Sequence, residues 1–224
     1  HMANGELPSA IVDVRSTDPI PEIPDSAIDT FEDYLYEDLG NTLDSYYTSG
    51  IEGSVQRQTS VVQEGSTSLE ITTTNGGTSR LRSQPSDGLP NYPSAGDNFR
   101  YFFRISKADT GSFSDGVSLV FGTQADNDWY RIQYTSSGTF RLVNQSSGFD
   151  VISSSSITLA SNEWYRVDCS WQTDGSFSID LLETDGSLLT SLNATDTTYS
   201  SGGIGYLVGA ESSITGYVDG VQLI

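Results

Sequence analysis

DNFRYFFRIS (97–106), VSLVFGTQ (117–124), DWYRIQYT (128–135) and GTFRLVN (138–144) come in quick succession, with turn-forming residues between them. Each alternates apolar and polar positions, the period-two signature of a strand buried on one face. In the first segment Phe99, Tyr101, Phe103 and Ile105 fall on one side, with Arg100, Phe102 and Arg104 on the other. Tyr130, Ile132 and Tyr134 oppose Trp129, Arg131 and Gln133, and Phe140 and Leu142 oppose Arg141. One face reads as the wall of a core. The other carries a recurring arginine.

Outward from this stretch the pattern continues. SVQRQTS (54–60), SLEITTT (68–74) and SRLRSQ (79–84) read as strands separated by Glu64-Gly65 and Asn75-Gly76-Gly77, both turn signals. The serine-rich passage after Val143 reads as short strands or an anchored surface loop. NEWYRVDCSWQTDGSFSIDLLETDG (162–186) reads as a hairpin: Tyr165, Val167, Cys169 and Trp171 alternate inward, Thr173-Asp174-Gly175 turns, and Phe177, Ile179 and Leu181 return. GGIGYLVG and TGYVDGVQLI supply two more strands. Many short strands with no helical stripe predict an all-β, antiparallel two-sheet sandwich or jelly roll. Its expected core includes Tyr101, Phe103, Ile132, Phe140, Val167 and Trp171.

Residues 1–27 are set apart. His1-Met2 reads as a cloning remnant, which makes the one histidine foreign. Pro8, Pro19, Pro21 and Pro24 resist helix and central strand, so an extended leader is expected, with packing along a neighbouring subunit as a route to an oligomer. The domain proper is expected over 28–224. The acidic, tyrosine-rich run from Tyr34 to Gly50 reads as a long loop.

Thirty Asp and Glu against ten Lys and Arg leave a net charge of −20, and Lys107 is the single lysine. This balance excludes nucleic acid as a partner, because phosphates require a basic surface. Disorder is the bland alternative, which the sustained strand pattern and aromatic content oppose. The charge reads instead as adaptation to high salt, where a Debye length of about 3 Å at 1 M screens acidic self-repulsion. No run of about 18 apolar residues occurs, so no helical membrane span is expected. Cys169 reads as a lone core thiol.

FED near the start, EGSTSLEI, the NEWYRVDCSW-QTDG-SFSIDLLETDG hairpin and the closing GGIGYLV…YVDGVQL resemble the concanavalin A-like lectin and glucanase jelly rolls, nearest to their laminin-G-like branch. The acid-rich, lysine-poor character resembles the versions in haloarchaea and their viruses. The resemblance covers about residues 28–224 and implies a fold, while its members include glycan-binding modules, adhesins, glucanases, lyases and fibre domains. Glucanases of the group carry an E-x-D-x-E strand, and here the nearest match, Glu183-Thr184-Asp185-Gly186, falls in a predicted turn. The lyases pair His or Tyr with Arg and Gln. Arg131, Gln133 and Tyr134 resemble that set, but Tyr134 alternates onto the core face. The resemblance also implies a structural Ca²⁺ held between the first and last strands, at Glu32 and Asp219 with Asp33 beside them. Solvated edge carboxylates are the plain alternative.

The arginines give the sharpest functional expectation. Arg80, Arg82, Arg100, Arg104, Arg131 and Arg141 lie on predicted strands, and sharing the face opposite the core would make a guanidinium groove in an acidic shell. Arg100, Arg104, Arg131, Arg141 and Gln133 would meet carboxylated or sulfated sugars through planar bidentate contacts, with Trp129 as a stacking surface. The alternative is that these arginines pair with Asp and Glu across strands. The reading is a non-catalytic glycan-binding or adhesion module, outside the cell, at a cell surface or on a virion. Its partner is a glycan or host-surface polysaccharide. A structural fibre domain comes second and a polysaccharide lyase or hydrolase third.

Overall fold

The computed structural model describes residues 25–29, 31, 47–48, 53–74, 77–87, 89–106, 116–125, 127–146, 148–209 and 213–224. Among these the secondary structure is strand and turn, with no helix. The strands in chain order are β1 (Ala27–Asp29), β2 (Tyr47–Thr48), β3 (Gly53–Gln58), β4 (Ser68–Thr73), β5 (Thr78–Ser83), β6 (Asn98–Ile105), β7 (Gly116–Ala125) and β8 (Asp128–Thr135). They continue with β9 (Thr139–Gln145), β10 (Asp150–Ser156), β11 (Trp164–Trp171), β12 (Ser176–Glu183), β13 (Leu188–Thr195), β14 (Gly203–Gly209) and β15 (Ile214–Leu223).

They form two antiparallel sheets packed as a sandwich. Sheet A runs β13-β12-β11-β6-β15-β4-β3, with β1 also on β15, and sheet B runs β10-β9-β8-β7-β14-β5-β2. The alternation seen in the sequence is what packs them. Phe99, Tyr101, Phe103 and Ile105 of β6 meet Tyr130, Ile132, Tyr134, Phe140 and Leu142 of sheet B in one core cluster. Trp171 is wholly buried there, stacked on Phe177 at 5.8 Å and edge-on to Tyr130 at 5.7 Å. Each such pair adds about 0.5–1.5 kcal/mol beyond area burial. All six expected core residues are buried, and Cys169 sits among them with burial pushing its thiol up.

The serine-rich passage holds β10, an edge strand bonded to β9, in line with the first of its two readings. One difference from the sequence reading has a simple cause. β13 follows the Thr184-Asp185-Gly186 turn and pairs with β12, yet only Leu192 on it is fully buried, so its pattern is faint. The long loop from Tyr34 lies mostly outside the described residues, apart from β2. Among the described residues, no helix is long and apolar enough to cross a membrane.

Candidate functional site

The sandwich divides the predicted arginines between two surfaces pointing in opposite directions. Arg100 and Arg104 stand on β6 of sheet A, whereas Trp129, Arg131 and Gln133 on β8 and Arg141 on β9 belong to sheet B. A single groove lined by all four arginines therefore does not exist. Alternation places each arginine on the outward side of its own strand, but β6 and β8 belong to different sheets. The crossover from β6 to β7 changes sheets.

On the outer face of sheet A, register aligns residues from five strands into a row: Trp164, Arg104, Tyr217, Glu70 and Gln56. The Arg104 guanidinium carbon lies 5.7 Å from the Tyr217 ring centroid, and the Trp164 and Tyr217 rings are 6.3 Å apart. The Gln56 amide donates to Glu70 at 2.7 Å. A second row places Arg100 beside Asp168. Arg100 grips that carboxylate with two nitrogens, Nε at 2.7 Å and Nη2 at 3.0 Å, and Arg166 approaches it at 3.3 Å. The hydrogen bond to Asp168 raises the Arg100 pKa. Here the cross-strand ion pair expected as the alternative is what the structure contains.

The outer face of sheet B is built differently. Register gives one row of Arg82, Gly205, Val120, Arg131 and Val143, and beside it Arg80, Leu207, Ser118, Gln133 and Arg141. A Cβ on Gly205 would sit 2.3 Å from the Leu81 carbonyl oxygen and 3.1 Å from Arg82 Cγ, so glycine keeps the floor open beneath that arginine. Arg131 is 9% exposed. Its Nε donates to Ser118 Oγ at 2.9 Å, and among the described residues no carboxylate reaches it. Burial, with Arg141 and Arg80 as like charges nearby, pulls its guanidinium down to about 9, still protonated at neutral pH. Arg141 donates to Gln133 Oε1 at 2.9 Å and lies 4.8 Å from the centroid of Phe149, a ring 46% exposed. Arg131 is 5.9 Å from the same ring.

Trp129 is not the surface platform expected of it. It is completely buried, packed with Val120 and Leu207, with Arg80 and Arg82 at 5.4 and 5.9 Å from its ring. Among the described residues its indole Nε1 has no acceptor. Gln133 is also buried and serves Arg141. The open ring on this face is Phe149, which lies beyond the periodic strand pattern in the turn before β10 and gave no signal of its role. Trp164 and Tyr217 were read for the fold alone, because their neighbourhood depends on which strands pair. Tyr134 lies in the core, its hydroxyl accepting the Leu159 N–H at 3.1 Å.

Of the two expected calcium positions, Glu32 lies outside the described residues, as does Asp33. Asp219 is no solvated edge residue: it is 0% exposed. Its Oδ2 accepts the Gln63 and Glu64 N–H groups at 2.8 and 2.9 Å, and its Oδ1 accepts that of Gly220 at 2.8 Å. Burial pushes this carboxyl up to about 6 despite those donors, with Glu64 as a like charge. Among the described residues Oδ1 accepts only that one bond, which leaves it a lone pair. Among the described residues no three His, Cys, Asp or Glu side chains cluster.

Residues 63–220 match the family described as "SO2946-like, C-terminal domain". No curated protein matches the chain. Among solved structures, the carbohydrate-binding module CBM66 from Bacillus subtilis superimposes with a TM-score of 0.53 at 18% identity, over 82% of this chain and 96% of that one. The cellulose-induced protein Cip1 gives 0.57 at 16%, over 80% and 91%. A botulinum neurotoxin type C structure, titled for its dependence on two ganglioside molecules in cell entry, gives 0.50 at 14%, over 80% of this chain and 43% of the toxin chain. At these identities the likeness is one of fold.

Proposed function

The chain belongs to the SO2946-like, C-terminal domain family, and from that premise we propose that it is a glycan-binding module that does not cleave what it binds. Two of the structures that share its fold are, by their titles, a carbohydrate-binding module and a toxin that interacts with gangliosides. The observation that carries the reading to this chain is Arg131. A nearly buried guanidinium with no carboxylate partner among the described residues, flanked by like charges, stands to gain from an anion that meets its charge. With Arg141 and the open Phe149 ring alongside, the anion that fits is a uronic acid or sulfated sugar, its ring stacked on the aromatic.

The remaining parts of the proposal follow from composition and the resemblance to concanavalin A-like jelly rolls. The domain begins near residue 28, the proline-rich leader reaches a neighbouring subunit, and the molecule works in high salt at a cell or virion surface. A Ca²⁺ held by Asp219 and Glu32 would tie the last strand to the first. A second reading, a structural domain of a virion or surface fibre, is favoured by the burial of Val120, Trp129 and Leu207 on the outer face of sheet B.

The test is calorimetric titration in molar NaCl with alginate and heparin against neutral dextran. Anionic chains should bind in preference, and Arg131→Met should weaken them about tenfold or more, the scale of a lost hydrogen bond to a charged group. Equal or absent binding of all three overturns the reading. The melting temperature should also rise from low to molar NaCl, and with added CaCl₂ at matched ionic strength. A flat response in either series removes that element of the proposal.

A further inference from the structure

Where β5 and β7 end and β14 begins, at one end of the sandwich, lies a pocket of about 410 Å³ that is separate from both arginine faces. Its floor exists because of two glycines. A Cβ on Gly202 would sit 2.6 Å from the carbonyl carbon of Gly122 and the carbonyl oxygen of Thr123. On Gly203 it would sit 2.2 Å from the Ser83 carbonyl oxygen. No side chain larger than hydrogen permits the three strand ends to meet this closely.

The lining carries no charged side chain. Among the described residues, the Gln84 side-chain amide and the Ser201 hydroxyl have no hydrogen-bond partner. Gln124 Nε2 donates to the Gly122 and Ser201 carbonyls at 3.2 and 2.5 Å, which fixes its amide and leaves Oε1 as an acceptor. The Tyr92 hydroxyl is held by Ser83 Oγ at 2.7 Å and by the Leu89 N–H at 3.2 Å, so ring carbon is what this residue offers, together with Pro85 and Pro93. Thr123 forms part of the wall, but it is 1% exposed, and its hydroxyl, with no partner among the described residues, is closed to solvent and out of a ligand's reach. The polar groups a ligand meets are the Gln84 amide, the Ser201 hydroxyl and Gln124 Oε1.

Amides and hydroxyls that both donate and accept, set against proline and tyrosine carbon, match a ring with an apolar C–H face and a rim of hydroxyls. The volume is at the small end of ligand pockets, which run about 300–1,000 Å³. A carboxylated sugar would find no cation here. We propose that this pocket is a binding site for a single neutral sugar residue, at a chain end or branch of the glycan. This deepens the glycan-binding reading and rests on it for the ligand class, but not on the arginine face.

The test is an NMR titration of the full chain with the methyl glycosides of glucose, galactose, mannose and fructose, and with glucuronic acid as the charged control. At least one neutral sugar should shift the side-chain amides of Gln84 and Gln124 saturably, while glucuronic acid does not. Gln84→Ala should weaken that sugar about two- to tenfold, the range for one hydrogen bond. Ser201→Trp, at an exposed position, should abolish binding by filling the pocket, and Arg131→Met should leave it intact. No saturable shift with any neutral sugar overturns the proposal, as does binding that survives Ser201→Trp unchanged. Alginate binding with a silent pocket removes this inference alone. Neutral-sugar binding without alginate binding removes the arginine face and leaves the pocket.

Discussion

Arg100 on sheet A and Arg131 on sheet B stand at equivalent points of the strand pattern, each an outward residue in an alternating run, and their surroundings differ completely. Arg100 is partly exposed and holds Asp168 through two nitrogens. Arg131 is nearly buried, holds one serine hydroxyl, and has Arg80 and Arg141 for electrostatic neighbours. On sheet A the Arg100 charge is met by Asp168, whereas on sheet B Arg131 meets no acid among the described residues. In a chain with three acidic residues for every basic one, a nearly buried arginine with no acid among the described residues requires an explanation, and the proposed binding would supply one.

The contrast also runs the other way, since sheet A buries an acid where sheet B buries a base. Asp219 titrates near 6 in the fold against about 3.9 in an unfolded chain. The folded state thus binds this proton more tightly, so its contribution is complete below the unfolded value and is lost as pH rises through the folded one. Between pH 4 and pH 7 the wild type should lose about 2 kcal/mol relative to Asp219→Asn, measured by urea denaturation across pH. Parallel pH profiles for the two proteins would mean the carboxylate is ionised at no cost. The asymmetry between the faces would then disappear.

A smaller effect is expected from exchanging the two arginines for methionine. Arg131→Met replaces an uncompensated buried charge with an apolar side chain of similar length, and should stabilise by about 1–2 kcal/mol. Arg100→Met strands Asp168 with only the more distant Arg166, and should destabilise by about 1 kcal/mol, discounted because the pair is part-exposed. Opposite signs in chemical denaturation confirm the contrast. Equal signs break it. The smallest effect should come from Asp168→Asn, where both arginines remain solvated enough to tolerate the loss: a few tenths of a kcal/mol, shrinking further in molar salt.

How much of this was legible in the sequence follows from what periodicity encodes. It reports which side of its own strand a residue occupies, and so Tyr101, Phe103, Ile132, Phe140, Val167 and Trp171 were all found in the core. It does not report which strands are neighbours. Placing Arg100 and Arg104 with Arg131 and Arg141 failed there, as did the chance to see Trp164 and Tyr217 flanking Arg104. Trp129 misled for a related reason: outward-facing was equated with exposed, yet Val120, Leu207 and two arginines close over it. The pocket at the strand ends was beyond reach because it is assembled from strand ends and loops, from residues far apart in sequence.

The order of strands within the sheets bears on the time at which this molecule can exist. β14 sits between β7 and β5 in sheet B, and β15 between β6 and β4 in sheet A. Both central places are thus filled by residues 203–223, after every other described strand has been made. During synthesis each sheet waits as two separate ribbons with facing unpaired edges, the kind of surface that recruits other chains. Completion then joins pairs far apart in sequence, which makes folding slow and all-or-none. Stopping the chain before residue 203 should therefore yield no smaller sandwich, only an aggregating ensemble without protected amides.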